Sequence, residues 1–203
     1  MSHDIEITMP ADQALAAIKE GNRRFAEGSI KYPYINGLGA EYDHTTQRPI
    51  VTVHTCGDAR VKPRLIFDQP IGGVFQTATA GHVTDFAVLG SHEYSVQHLG
   101  VRLIVIMGHS NCGAIKATLA DFVDPTESHI GSLTEVIRPH LVDVKATPGD
   151  LVENAVKANV RAVVQEFLDN RFLMKGNDVG TDREIKVVGA YYDLATGKVE
   201  FLD

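Results

Sequence analysis

The sequence predicts an α/β domain with a mostly parallel central sheet of four to five strands flanked by helices. Short β-rich runs alternate with segments of helical periodicity along the chain. The run RLIVIMG at 102–108 is almost wholly apolar, as expected for a parallel strand that is covered on both faces. The length of 203 residues suits one domain. We therefore expect a single domain over 1–203, whose first 48 residues or so form a helical arm and a loop.

The elements follow from periodicity and from the residues that end them. Strands are predicted at 50–56, 72–79, 102–108, 184–193 and 198–202. Helices are predicted at 11–27, 85–99, 112–122, 133–145 and 151–168, the fourth being weak and broken at Pro139. Asp150 and Glu153 stand at the spacing of a capping box and mark the start of the last helix.

Bulk properties exclude several classes of function. The net charge of −7 and the pI near 5.7 argue against non-specific nucleic-acid binding, which needs a basic face. No apolar run approaches the roughly 18–20 residues of a membrane span, and the N-terminus has no secretory signal pattern. We expect a cytoplasmic protein. In that compartment the two cysteines point to metal binding or catalysis more than to a disulfide, which the pair could formally make.

Two short segments carry residues that suit metal chemistry. Cys56, Asp58 and Arg60 follow one predicted buried strand, and His109 and Cys112 follow another. Ligands of open α/β sheets bind at the carboxyl ends of the strands, so both segments should open onto one crevice. Two thiolates and an imidazole form a reasonable zinc set, with a fourth position left open. Either segment alone fits an ordinary buried cysteine or histidine, whereas the combination uses both cysteines of the chain.

The surroundings of these ligands support the same interpretation. Cys112 begins a predicted helix, whose positive end favours the thiolate over the thiol. An ion pair between Asp58 and Arg60 would keep the carboxylate ionised and aimed at the open metal position.

The pattern Cys-x-Asp-x-Arg at 56–60, followed by His-x-x-Cys-Gly at 109–113, resembles the β-class carbonic anhydrases. The similarity runs from Arg48 to the C-terminus and includes SHEYSVQHLGVRLIVIMGHSNCGA at 91–114 and GAYYDLATGKV at 189–199. The resemblance implies hydration of carbon dioxide with one Zn²⁺ per chain. It makes Cys56, His109 and Cys112 the ligands and the 58–60 pair the catalytic dyad. It also implies a homodimer or a higher multiple, in which the N-terminal helix packs on a neighbour.

One segment departs from the family pattern. Where the family has Arg-Asn-Ala-Gly after the second strand, this chain has Ala-Thr-Ala-Gly-His at 78–82. Gly81 and Gly113 are expected to line the pocket, and Gln69 stands near a family position that contacts substrate. The altered segment at 78–82 leaves hydrolysis of carbonyl sulfide or carbon disulfide open as an alternative. A non-catalytic zinc-binding scaffold is a second alternative. His82 and His92 are expected at the surface, although either could shuttle protons.

Overall fold

The computed structural model describes residues 6–33, 44–120 and 129–202. Its strands are β1 Val51–Cys56, β2 Val74–Thr79, β3 Leu103–His109, β4 Lys186–Tyr192 and β5 Val199–Leu202. They form one sheet in the order β2-β1-β3-β4-β5. The first four strands pair in parallel, and β5 joins β4 antiparallel. The predicted fold class is confirmed.

Helices surround the sheet close to where periodicity placed them. They are α1 Ala11–Ala26, α2 Pro63–Ile66, α3 Phe86–His98, α4 Gly113–Leu119, α5 Ile130–Ile137 and α6 Leu151–Asp169, with 3-10 turns at 80–82, 138–141 and 144–146. The predicted weak helix breaks at Pro139 as expected, because α5 gives way there to a 3-10 turn. Parts of the predicted loop at 28–49 and of the helix at 112–122 lie outside the described residues. Among the helices described, none is long and apolar enough to cross a membrane.

Each face of the sheet has its own apolar core, and β3 contributes to both. Alternate residues of β3 point to opposite faces, and all seven are buried. Val105 and Met107 join a cluster with Ile18 of α1 and Ile66 of α2. The opposite cluster combines β3 with the remaining helices, through residues that include Ile104, Ile106, Val96, Ile115, Ile137 and Val160. This double coverage explains the unbroken apolar run at 103–108.

The N-terminal helix is anchored on its own chain. The Asn22 amide donates hydrogen bonds to Ile66 O at 3.2 Å and to Gly197 O at 2.9 Å. Its oxygen accepts one from the Val199 N–H at 2.8 Å, which ties α1 to the start of β5. The face of α1 that carries Ile18 is thus covered by its own sheet, and only the opposite face is open to a neighbour.

Helix α6 lies unusually close to the sheet beside the end of β3. Its start is capped as predicted, with the Asp150 carboxylate accepting from the Glu153 N–H at 2.8 Å. A Cβ placed on Gly108 would lie 2.5 Å from Val156 Cγ1 and 2.8 Å from Val160 Cγ2. Only glycine permits this approach, which brings α6 against the residue that precedes His109.

Candidate metal centre

Three side chains converge at the carboxyl edge of the sheet. Cys56 ends β1, His109 ends the adjacent β3, and Cys112 lies immediately before α4. Asn111, with φ of +58°, turns the chain so that the last two face the same point. Their ligand atoms all lie within 4.8 Å of one another, and all three residues are buried. The structure therefore brings together the three residues that the sequence predicted as a set.

The spacing of these atoms suits zinc. The two sulfur atoms lie 4.0 Å apart. Two Zn–S bonds of about 2.3 Å at a tetrahedral angle would separate them by about 3.8 Å. His109 Nδ1 donates to the Ser110 carbonyl at 2.9 Å, which leaves the lone pair on Nε2. That Nε2 atom is buried and has no hydrogen-bond partner among the described residues. An imidazole fixed by a carbonyl at one nitrogen and vacant at the other is typical of a metal ligand.

Within the pair of thiols, negative charge is favoured on the sulfur of Cys56 and disfavoured on that of Cys112. The Cys112 thiol donates to the Cys56 sulfur and lowers the pKa of Cys56, and the Gly81 N–H at 3.3 Å acts in the same direction. The hydrogen bond to Cys56, burial and the adjacent charge raise the pKa of Cys112, although the Ile115 N–H at the helix start opposes this. The expected effect of the helix end on Cys112 is present but is outweighed within the pair.

Asp58 and Arg60 form the expected ion pair at the mouth of the site. Arg60 Nε donates to Asp58 Oδ1 at 3.0 Å, and its terminal nitrogen donates to Oδ2 at 2.8 Å. The Arg60 backbone N–H adds a bond to Oδ1 at 2.9 Å. The Arg60 side chain holds the pKa of the Asp58 carboxyl well below its usual range. Asp58 Oδ2 lies 4.0 Å from His109 Nε2, so an ionised acceptor borders the three donors without joining them.

His82 and His92 do not lie at the surface, and that expectation was wrong. Both side chains are fully buried. A chain of hydrogen bonds satisfies the polar atoms of His92 and of the neighbouring His54. His92 contacts Thr52 at 3.0 Å and Thr77 at 2.8 Å, and Thr77 contacts His54 Nδ1 at 2.8 Å. His54 Nε2 then donates to the His82 carbonyl at 2.9 Å.

These partners fit neutral imidazoles, each donating at one nitrogen and accepting at the other. Burial lowers the pKa of His54, and it lowers the pKa of His92 to about 3.

The remaining predicted positions divide between the site and its surroundings. Gly81 contacts Cys56, because its N–H donates to the sulfur at 3.3 Å. It has φ of +68°, and a Cβ there would lie 2.7 Å from Ile137 Cδ1. Gly113 is exposed at the start of α4, next to a ligand. Ala78 is exposed near the end of β2, where the family pattern has arginine. The Gln69 amide donates to the Phe67 carbonyl at 2.9 Å under α1, so it belongs to the packing of that helix.

The sequence analysis gave no role to Asn159, a buried residue of α6. Its amide donates to Gly81 O at 3.0 Å and to His82 Nε2 at 2.8 Å, and its oxygen accepts from His140 Nδ1 at 2.7 Å. A signal was present. Position 159 lies on the same helical face as Val156 and Val163, so an amide interrupts an apolar stripe there. A polar residue in such a stripe needs internal partners.

Comparisons with known proteins agree with this geometry. A family profile described as carbonic anhydrase matches residues 51–199. The carbonic anhydrase of Mycolicibacterium smegmatis is 37% identical over 191 residues, covering 92% of this chain and 91% of that protein. Carbonic anhydrase 2 of Mycobacterium tuberculosis (strain H37Rv) is 33% identical over 197 residues, covering 94% and 92%.

Solved structures show the same fold at lower identity. The β-carbonic anhydrase CcaA superposes with a TM-score of 0.68 at 23% identity, covering 95% of each chain. The Coccomyxa β-carbonic anhydrase in complex with acetazolamide gives 0.68 at 24% identity, covering 94% of this chain and 85% of that one. The profile match spans most of the chain and includes all three clustered donors and the Asp58–Arg60 pair. The chain belongs to the β-carbonic anhydrase family.

Proposed function

We propose that this protein catalyses the reversible hydration of carbon dioxide to bicarbonate and a proton, with one zinc ion held by Cys56, His109 and Cys112. The observation that carries the proposal is the buried three-donor cluster with the Asp58–Arg60 pair at its edge. Catalytic zinc sites keep three protein ligands and one open position, whereas structural sites close with a fourth. Among the described residues, no fourth histidine, cysteine or carboxylate joins the cluster, which favours catalysis over a scaffold role.

Zinc bound there would lower the pKa of a water molecule and supply a nucleophile at neutral pH. The protein's own contribution lies in Asp58 and Arg60. Asp58 stays ionised through its pairing with Arg60, so it serves as a hydrogen-bond acceptor that orients the attacking oxygen. Both Asp58 oxygens accept hydrogen bonds from Arg60, which fixes the direction of their remaining lone pairs. Hydration then consumes one water and one carbon dioxide and releases bicarbonate and one proton.

We also propose that the chain self-associates. The edge of β2 that faces away from β1 pairs with no strand of the described sheet. The Tyr94 ring lies 6.3 Å from that of Phe75 in β2 and is 47% exposed, and Phe86 at the start of the same helix is 95% exposed. An unpaired edge beside large exposed apolar side chains suits a subunit interface. Tetrameric β-carbonic anhydrases from Sordaria macrospora share the fold, with a TM-score of 0.67 at 23% identity. Light scattering of the purified protein should give a dimer or a higher multiple; a monomer would contradict the assignment.

A side-by-side assay tests the choice of substrate. Zinc-replete protein should hydrate carbon dioxide in a stopped-flow assay and should release hydrogen sulfide from carbonyl sulfide far more slowly. The exposed, small Ala78 is the feature that favours a different gas, because it stands where the family pattern has arginine, one residue before the sheet partner of Cys56. Faster turnover of carbonyl sulfide than of carbon dioxide would therefore move the assignment to a hydrolase. Stoichiometric zinc with neither activity would favour the scaffold role.

A further inference from the structure

We infer that Asn159 is a positioning residue for the metal centre, acting through the turn at residues 81–82 on the sulfur of Cys56. The inference rests on the proposed zinc site. It begins with the Gly81 N–H, which donates to Cys56 Sγ at 3.3 Å. Partners of this kind orient a metal ligand and tune its charge. The placement of that N–H depends on the backbone of the turn, and Asn159 contacts the turn at two atoms.

The turn would not keep its shape unaided. Gly81 has φ of +68°, and His82 has φ of +46°, a left-handed conformation that non-glycine residues rarely adopt. Such backbone persists only where its surroundings hold it, and it clusters at functional sites. Gly81 also lies against Ile137 and Ala114, so α4 and α5 leave no room for it to shift towards them.

The orientation of the Asn159 amide follows from its partners. Gly81 O can only accept, so the nitrogen of the amide faces the turn and donates to it at 3.0 Å. The same nitrogen donates to His82 Nε2 at 2.8 Å, which places the proton of the neutral His82 ring on Nδ1. One buried amide thus holds the carbonyl of one turn residue and the side chain of the next.

The oxygen of the Asn159 amide has a hydrogen-bond partner of its own. His140 Nδ1 donates to the amide oxygen at 2.7 Å, and His140 Nε2 lies 3.4 Å from the Glu166 carboxylate. On the other side of the turn, His54 Nε2 donates to the His82 carbonyl at 2.9 Å. The turn is therefore fixed between two hydrogen-bond chains, of which the one through Asn159 reaches Gly81 itself.

Loss of the amide should free the turn and withdraw the N–H from the sulfur. Removing an outer partner of a metal ligand typically costs about 10- to 100-fold in metal affinity. We expect a loss of that size in Asn159→Ala. With cobalt in place of zinc, the thiolate-to-metal absorption should also move to longer wavelength, because a thiolate that accepts fewer hydrogen bonds gives up its electrons more easily.

The experiment compares Asn159→Ala with Asn154→Ala in the full-length protein. Asn154 lies on the same helix, and its amide donates to the Thr147 and Pro148 carbonyls at 3.2 and 3.1 Å, away from the centre. Zinc affinity is measured by competition with a chromophoric chelator, and the cobalt spectrum is recorded for each variant. Asn159→Ala should bind zinc more weakly with a shifted spectrum, and Asn154→Ala should match the wild type.

The outcomes separate this inference from the proposed function. Wild-type protein that binds no zinc would overturn the zinc site and the inference together. Tight binding by the wild type, with an unchanged affinity and spectrum in folded Asn159→Ala, would overturn the inference alone. If Asn159→Ala does not fold, His140→Ala tests the inference instead, because it removes only the hydrogen-bond donor to the Asn159 amide oxygen. A weaker zinc affinity in that variant supports the role, and an unchanged affinity refutes it.

Discussion

The buried histidines should make the stability of the fold depend on pH, and His92 allows the size of the effect to be worked out. Its pKa is lowered to about 3 by burial, whereas an exposed histidine titrates near 6.5. The unfolded chain therefore binds a proton at pH 5 that the folded chain rejects. Acid favours unfolding, and stability is lost as pH falls below the unfolded pKa. For this one side chain the loss is about 2 kcal/mol between about pH 7 and pH 5.

Guanidinium titrations at the two pH values measure this loss. The variant His92→Gln cannot titrate, so its free energy of unfolding should fall by about 2 kcal/mol less than that of the wild type over the same interval. His98→Gln is the matched control, since His98 lies on the exposed face of the same helix. Burial also lowers the pKa of His54 and His82, so some loss should remain in the variant. Equal losses of unfolding free energy in the wild type and in His92→Gln would refute the claim that burial keeps His92 neutral.

Three further predictions follow from the site and its packing. Asp58→Asn should lower carbon dioxide turnover by about 100-fold or more with an unchanged zinc content by elemental analysis; loss of zinc would mean that Asp58 is a ligand. Gly108→Ala should cost about 1–3 kcal/mol in denaturant unfolding, because its Cβ meets Val156 and Val160. As a control, Gly90→Ala has open space around its Cβ and should stabilise α3 slightly. Equal changes in unfolding free energy for Gly108→Ala and Gly90→Ala would contradict the close approach of α6 to β3. Because two thiolates cancel the charge of Zn²⁺, hydration activity should rise between about pH 7 and pH 9, and a flat profile would count against this ligand set.

Much of the fold and the ligand set could be predicted because both depend on local pattern. The apolar run of β3, the cap at Asp150 and the break at Pro139 each leave a signature within a few residues. Parallel strands bring their carboxyl ends to one edge, so Cys56 and His109 were expected at the same crevice, and the pairing of β1 with β3 makes them neighbours.

Features that depend on tertiary partners could not be predicted in the same way. Burial of His92 requires the Thr52 and Thr77 hydroxyls from two neighbouring strands, and the sequence of the helix gives no sign of them. Phe86 stands at helical spacing with Leu89 and Val96, yet it is 95% exposed as the first residue of the helix. The charge preference within the thiol pair follows first from the hydrogen bond between the two cysteines, and the Gly81 N–H that adds to it comes from a turn distant in sequence.

The central claim is that the three-donor cluster holds the zinc on which carbon dioxide hydration depends. Titrating zinc into chelator-stripped protein while recording stopped-flow hydration tests it most directly. Activity should rise in proportion to bound zinc and reach its plateau at one equivalent per chain, and Cys112→Ser should lose both the binding and the activity. A fully loaded protein without hydration activity would contradict the claim, as would unchanged activity in Cys112→Ser.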